Sequence, residues 1–256
     1  MNTIGALSIM EKSKEIIEIC LLAGKIMLQS GAETYRVEDT MNRIAASFGI
    51  NESHSYVTPT GIMFSINSVE QTNLIRISNR STDLEKVTIV NSISRSISAG
   101  DVTIQEAKRQ LQELEKADHS YPVWLQIIAA ALASGCFTIM FLGGWVDFLP
   151  SCVAGGVGYI GFIYIHRYVQ LKFFAEFMAS FMIGVVAYIF VTTGLGKEID
   201  KIIIGSVMPL VPGLLITNAV RDLLAGHLVS GISKGAEAFL TAFAIGTGVA
   251  VVLSIF

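Results

Sequence analysis

After Tyr121-Pro122 the chain breaks into five long apolar stretches, at residues 122–142, 148–165, 173–193, 202–220 and 238–256. A helix needs about 20 predominantly apolar residues to cross the hydrocarbon core of a bilayer, and each stretch reaches or approaches that length. The charge distribution divides at the same point. Of the 39 charged residues, 27 precede Pro122 and 12 follow it, so the mean hydropathy of +0.59 averages two segments of opposite character. Residues 1–119 are therefore expected to form a cytosolic α+β domain, and residues 120–256 an all-α transmembrane bundle of five helices.

Orientation follows from the basic residues near the ends of the spans. Residues 1–30 carry Glu11, Lys12, Lys14, Glu15, Glu18 and Lys25, which is not the pattern of a secretory signal, so the N-terminus is expected to stay in the cytoplasm. Arg167 and Lys172 flank the second loop, and Arg221 and Lys234 the fourth. Against them, only Lys197 and Lys201 flank the third, and the first has none. The bias places Met1 inside and Phe256 outside, in the cell membrane.

The front segment reads as alternating helix and strand signals. Ile16, Ile17, Cys20, Leu21, Gly24, Met27 and Leu28 form a helical stripe that stops at Ser30-Gly31, and Val37, Met41, Ile44 and Phe48 form a second. Residues 54–57, the alternation of Ile62, Phe64 and Ile66, and that of Ile75 and Ile77 predict a three-stranded sheet turning at Thr58-Pro59-Thr60-Gly61. Residues 84–99 predict a third helix, and Thr103-Ile104-Gln105-Glu106 has the capping-box spacing that opens a fourth.

Function classes narrow by elimination. Net charge is −3 with no block of like charge, which argues against nucleic acid. Cys20, Cys136 and Cys152 are too scattered for a disulfide framework or a metal knuckle, and read as small core residues. The histidines His54, His119, His166 and His227 are equally dispersed. No phosphate loop or HExxH motif occurs, and no cofactor or metal is indicated. Gly231-Ile232-Ser233-Lys234-Gly235 matches GxSxG, but a nucleophile elbow needs a strand before it, and this segment lies between two apolar stretches. The chain does not read as an enzyme.

The strongest local signal is Pro209-Leu210-Val211-Pro212-Gly213 inside the fourth stretch. Two prolines cannot donate, so the carbonyls of Gly205 and Met208 are expected to lose helical partners. A half-helix beginning near Pro212 is expected to leave the N–H groups of Gly213, Leu214 and Leu215 open to an anionic group. Interrupted helices of this kind point to substrate sites in transporters, and a packing kink is the plainer alternative. Just beyond lie Asn218, Arg221 and Asp222, then His227, Ser230, Lys234 and Glu237, with Glu176 a further acidic group inside the third stretch. Arg221 suits a substrate carboxylate, and Asp222 or Glu237 an ammonium group or a proton. Gly155, Gly156, Gly158 and Gly161, and the ladder Ala242, Gly246 and Ala250, are expected to mark close helix contacts.

Gly31-Ala32-Glu33-Thr34-Tyr35-Arg36-Val37-Glu38, Thr58-Pro59-Thr60-Gly61 and Val90-Asn91-Ser92-Ile93-Ser94-Arg95 resemble the cytosolic part of the bacterial threonine/serine exporter family. The Pro209-to-Gly213 break, Thr217-Asn218-Ala219-Val220-Arg221-Asp222-Leu223-Leu224-Ala225-Gly226 and Glu237-Ala238 are similar to its membrane signature. This resemblance implies a membrane transporter subunit exporting small carboxylate metabolites, threonine and serine or dicarboxylates such as succinate. It also implies a second short membrane subunit, because full-length members carry further spans. The substrate-binding residues it implies are Pro209, Pro212, Gly213, Asn218, Arg221, Asp222 and Glu237, with Glu33 and Arg36 where substrate enters from the cytosol. The competing readings are a membrane-anchored ligand sensor or scaffold without transport activity, and a tethered hydrolase using Ser233.

Overall fold

The structure is a computed structural model that describes residues 3–66, 72–118 and 120–255. Met1, His119 and Phe256, on which the expected termini and one histidine fall, lie outside the described residues. Two compact units emerge. One joins the described residues up to Ser120 with Leu215–Gly235, and the other joins Tyr121–Leu214 with the described residues from Ala236 onward.

In the first unit, helix α1 (Thr3–Gln29) buries Ile16, Ile19, Cys20, Ala23, Ile26 and Met27 along one face. Burial pushes the Cys20 thiol up to about 12, so this cysteine is an inert packing group. The helix ends as its sequence directs. Gly31 takes φ +90°, its N–H bonds to the carbonyl of Leu28, and the Ala32 N–H bonds to that of Met27, the paired bonds of a Schellman stop. Helix α2 (Thr34–Ser47) then places Val37, Met41 and Ile44 in the core. Strands β1 (Ser53–Thr58), β2 (Gly61–Ile66) and β3 (Asn73–Arg76) form an antiparallel sheet in the order β1-β2-β3. Thr58 pairs with Gly61 across the turn. Ile62, Phe64 and Ile66 face the helices, as alternation requires. Helix α3 (Leu84–Ala99) is capped by Asp83, which accepts from the Lys86 N–H at 3.0 Å, and α4 (Ile104–Lys116) by Thr103, which accepts from the Glu106 N–H at 3.3 Å.

The second unit is built from α5 (Val123–Met140), α6 (Trp145–Val169), α7 (Lys172–Thr192), α8 (Ile199–Val207) and parts of α9 (Gly213–Leu224) and α10 (Leu228–Ile255). Among the described residues, α5, α6, α7 and α10 are each long and apolar enough to cross a membrane. The bent pair 199–210 and 213–224 makes a fifth candidate if counted as one span. Large apolar side chains remain outside, among them Leu132, Leu149, Phe239 and Phe243. Surface of that extent on helices of that length suits hydrocarbon rather than water.

This architecture corrects the expected fold class. Among the described residues the molecule is overwhelmingly helical with one small sheet, and no distinct cytosolic N-terminal α+β domain stands before an all-α five-helix bundle. The reason is polar. Asn218, Asp222, Ser230 and Lys234 are buried and need partners, which the α1–α2 turn and β1 supply, so Leu215–Gly235 packs with the front of the chain. Hydropathy registers where charge is sparse but not which distant segment satisfies a buried charge.

Small residues act unequally. A Cβ on Gly155 of α6 would collide with the Ser134 side chain of α5, and one on Gly158 with Ile183 of α7, so α6 meets both neighbours at glycine. On α10, Gly248 is packed against α7, where a Cβ would strike the Phe177 carbonyl and Ser180. The expected ladder of Ala242, Gly246 and Ala250 faces outward instead, and nothing approaches Gly246. The cysteines also part company: Cys20 is buried, Cys152 half-buried and Cys136 exposed. In detergent, Gly155→Val should lower stability by about 1–3 kcal/mol through overpacking. Gly246→Ala should leave the midpoint of thermal unfolding within about a degree, because no neighbour must move.

Candidate functional site

The proline pair breaks the helix as expected, and two of the groups it frees are bonded locally. Helix α8 stops at Val207, a 3-10 turn spans Met208–Leu210, and α9 starts at Gly213, with a bend of 62° between the two helical arms. The Val211 N–H donates to the Met208 carbonyl at 3.1 Å, and the Gly213 N–H donates to the Val211 carbonyl at 2.9 Å. The expected lone carbonyl on Met208 and lone N–H on Gly213 are therefore both occupied. Beside the break, Pro209 lines a cavity of about 600 Å³ with Leu125, Ala129, Ala133 and a hydrogen-bonded pair, in which the Tyr159 hydroxyl donates to Gln126 Oε1 at 3.1 Å.

Asn218, Arg221 and Asp222 do not line that cavity. They meet the Gly31-Ala32-Glu33-Thr34 turn within the first unit. Asp222, with no exposed surface, accepts from the Thr34 N–H and the Thr34 hydroxyl, both at 2.9 Å, and from Lys234 Nζ at 2.7 Å. Lys234 reaches further, to the Thr34 hydroxyl at 3.2 Å and the Ala32 carbonyl at 3.4 Å. Asn218 Nδ2 donates to the Gly31 carbonyl at 2.8 Å. The Schellman stop at Gly31 aims that carbonyl and the Thr34 N–H, the first of α2, at α9. A matching stop ends α9, where Gly226 at φ +86° lets the His227 N–H reach the Asp222 carbonyl at 2.9 Å.

Around this buried ion pair lies a more open one. Arg221 Nη1 donates to Glu33 Oε1 at 2.5 Å, and Arg36 Nη1 approaches Glu33 Oε2 at 3.4 Å. The Arg221 side chain is 55% exposed, whereas that of Glu33 is 7% exposed. Burial pushes the Glu33 carboxyl up. Hydrogen bonds from its own backbone N–H and Arg221, with the charges of Arg36 and Arg221, outweigh that effect and hold it below the ordinary value. Glu38 behaves oppositely. Burial, with repulsion from Asp222 added, raises it against the pull of the Val57 N–H at 2.8 Å and of His227, 3.8 Å away. Ser230 donates to the Val57 carbonyl at 3.2 Å, and the same turn borders a cavity of about 190 Å³. Thr34, Glu38, Ser230 and Lys234 were not among the expected site residues. The signal for them is combined: each is polar and close in sequence to a motif residue.

Glu237 separates from this group. It belongs to the second unit, where Lys172 Nζ donates to its Oε1 at 2.8 Å. One helical turn on, the Thr241 hydroxyl donates to Oε1 of the buried Glu176 at 3.2 Å. Gly231 through Gly235 lies wholly within α10, so its GxSxG spacing sits on a helix. Among the described residues no group of three His, Cys, Asp or Glu side chains could hold a metal ion.

Among the described residues the chain has several apolar helices of membrane-crossing length and one bent, interrupted pair, features of a multi-pass membrane protein of the kind found among transporters. The sequence comparisons name the family. The profile described as "Putative threonine/serine exporter" matches residues 18–256, and the chain belongs to this family of membrane exporters rather than to an enzyme family. It is 25% identical over 240 residues to the "Probable threonine/serine exporter" of Mycobacterium tuberculosis, covering 90% of this chain and 44% of that protein. It is 25% identical to the "Probable succinate transporter subunit YjjP" of Klebsiella aerogenes, covering 95% of each. With the "Threonine/serine exporter" of Corynebacterium glutamicum it shares 23% identity over 91% of this chain and 50% of that one. The chain thus spans about half the length of these two threonine/serine exporters, and nearly all of the succinate transporter subunit. No solved structure matches it.

Two consequences of the site geometry are measurable. Lys234→Met leaves the buried Asp222 charge with the Thr34 donors alone and should cost about 3–5 kcal/mol of stability. Arg221→Gln breaks a half-exposed pair and should cost no more than about 1 kcal/mol. Unfolding in detergent separates the two. The pH dependence carries a sign as well. A carboxyl raised in the fold favours its protonated form there, so Glu38's stabilisation is present below its ordinary value of 4.5 and lost as pH rises through the higher folded value. Glu33, being lowered, works in the opposite sense: its stabilisation is present above the ordinary value and lost as pH falls. Glu38→Gln keeps an acceptor for Val57 and should abolish the loss of stability above pH 4.5, as read from unfolding midpoints across pH.

Proposed function

We propose that the chain is a transporter subunit that exports small carboxylate metabolites, threonine and serine or a dicarboxylate such as succinate, with a second short membrane subunit. The observation that carries this reading is the Arg221–Glu33 pair. A guanidinium 55% exposed on its side chain is held at 2.5 Å by a buried carboxylate, with Arg36 on the other oxygen. Such an arrangement is suited to exchange, because a substrate carboxylate arriving from solvent replaces Glu33 on Arg221 by the same charge-assisted hydrogen bonding. The Asp222–Lys234–Thr34 network fixes the backbone of α9 and the 31–34 turn, so the displaced Glu33 moves while its support does not.

Glu33 and Arg36 then meet the substrate first, from the cytosolic side, with Arg221 as its carboxylate ligand and Asn218 and Asp222 as the frame. Pro209, Pro212 and Gly213 provide the break at which the fourth span changes direction. Glu237, taken within the second unit alone, is a ligand for a substrate ammonium group at a separate step of the path. The basic residues flanking the second and fourth loops support an orientation with the N-terminus in the cytoplasm and the C-terminus outside. The second subunit is supported by the lengths of the relatives, since the one named a subunit is covered almost end to end.

Efflux of preloaded labelled serine, threonine and succinate from liposomes tests the proposal, with this chain alone and with a short partner subunit. Flux that requires both proteins, and that falls at least tenfold in Arg221→Ala, is the expected result. Unchanged flux in Arg221→Ala removes Arg221 from the substrate path. No flux under any pairing, with both proteins inserted, favours a ligand sensor or scaffold.

A further inference from the structure

Within the second unit, Glu176 is a buried ionisable side chain with no role assigned so far. Glu176 sits one turn into α7 and is 3% exposed. Its Oε1 accepts from the Thr241 hydroxyl of α10, and its Oε2 is buried with no hydrogen-bond partner among the described residues. The charged groups acting on it are Lys172, one turn earlier on the same helix, and Glu237 on α10. Lys172 is committed elsewhere, at 2.8 Å from Glu237 Oε1. A carboxylate oxygen sealed from water, without a donor and facing a second carboxylate, is an arrangement that a bound cation relieves. The described residues offer no metal-binding group, and the smallest cation that satisfies a single oxygen is a proton.

We propose that Glu176 is a proton-binding site, with the proton on Oε2, and that Lys172 couples it to Glu237. Lys172 precedes Glu176 by four residues, the spacing at which side chains on a helix meet. It can therefore pair with Glu237 or with Glu176, but not fully with both. While Lys172 holds Glu237, Glu176 keeps its proton. When the ammonium group of a substrate occupies Glu237, Lys172 turns to Glu176 and the proton leaves Oε2 for water. One positive charge enters the cluster and one departs, so charge balances at each step. This coupling step rests on the exporter reading for Glu237, whereas the proton site itself does not.

The test uses the full chain in liposomes. Infrared difference spectra across pH should show, beside the contribution of Glu38, a protonated-carboxyl carbonyl band that disappears in Glu176→Gln and persists in Glu198→Gln, an exposed control. Absence of the band in the unaltered protein, or its persistence in Glu176→Gln, overturns the proposal. Adding serine should reduce the band in the unaltered protein and leave it unchanged in Lys172→Gln. A serine response identical in both overturns the coupling role of Lys172. Because the spectra need no transport, a Glu176 band without efflux upholds the proton site and counts against the exporter reading alone.

Discussion

Everything in the first unit turns on one carboxylate that no water reaches. Asp222 is fully buried, and a charge in that position is tolerated only if donors surround it. Thr34 supplies two and Lys234 a third, and Lys234 is itself buried and satisfied by Thr34 and the Ala32 carbonyl. To bring those donors together, α1 must stop at Gly31, α2 must start at Thr34, and α9 must end where Gly226 reverses the chain. The two helix stops are thus geometric requirements of a single ion pair.

That arrangement sets a buried pair and a half-exposed pair side by side. The buried pair has little freedom, because losing either partner strands a charge. Arg221, one position before Asp222 in sequence, inherits the fixed backbone but extends its guanidinium toward solvent. Glu33, adjacent to Thr34, inherits the same anchor from the other side. In the second unit Lys172 holds Glu237 at 2.8 Å and stands one helical turn before the buried Glu176.

Local chemistry made some of this legible in the sequence. The stop at Ser30-Gly31, the stripe of Val37, Met41 and Ile44, the cap at Thr103 and the break at Pro209 and Pro212 each depend on residues a few positions apart. What stayed hidden depends on distance. Thr34 and Asp222 are 188 residues apart, and nothing local says that a hydroxyl beside a helix stop will hold a carboxylate near the far end of the chain. The outward face of Ala242, Gly246 and Ala250 was equally opaque, because Gly248 lies on the same helix and spacing alone does not say which face meets α7. Helix α10 begins at Leu228, well before its apolar stretch, because Ser230 and Lys234 find internal partners that hydropathy does not register. For the same reason the expected separate N-terminal domain gave way to a unit that includes Leu215–Gly235.

The central claim is that the α1–α2 turn and α9 are bound together through Asp222. A double-mutant cycle with Thr34→Val and Asp222→Asn, read by reversible unfolding in detergent, addresses it directly. The account predicts a coupling energy of about 1–3 kcal/mol, the range of hydrogen bonds to a buried charged group. Additivity within about 0.5 kcal/mol would contradict it, because two residues that share no interaction lose stability independently.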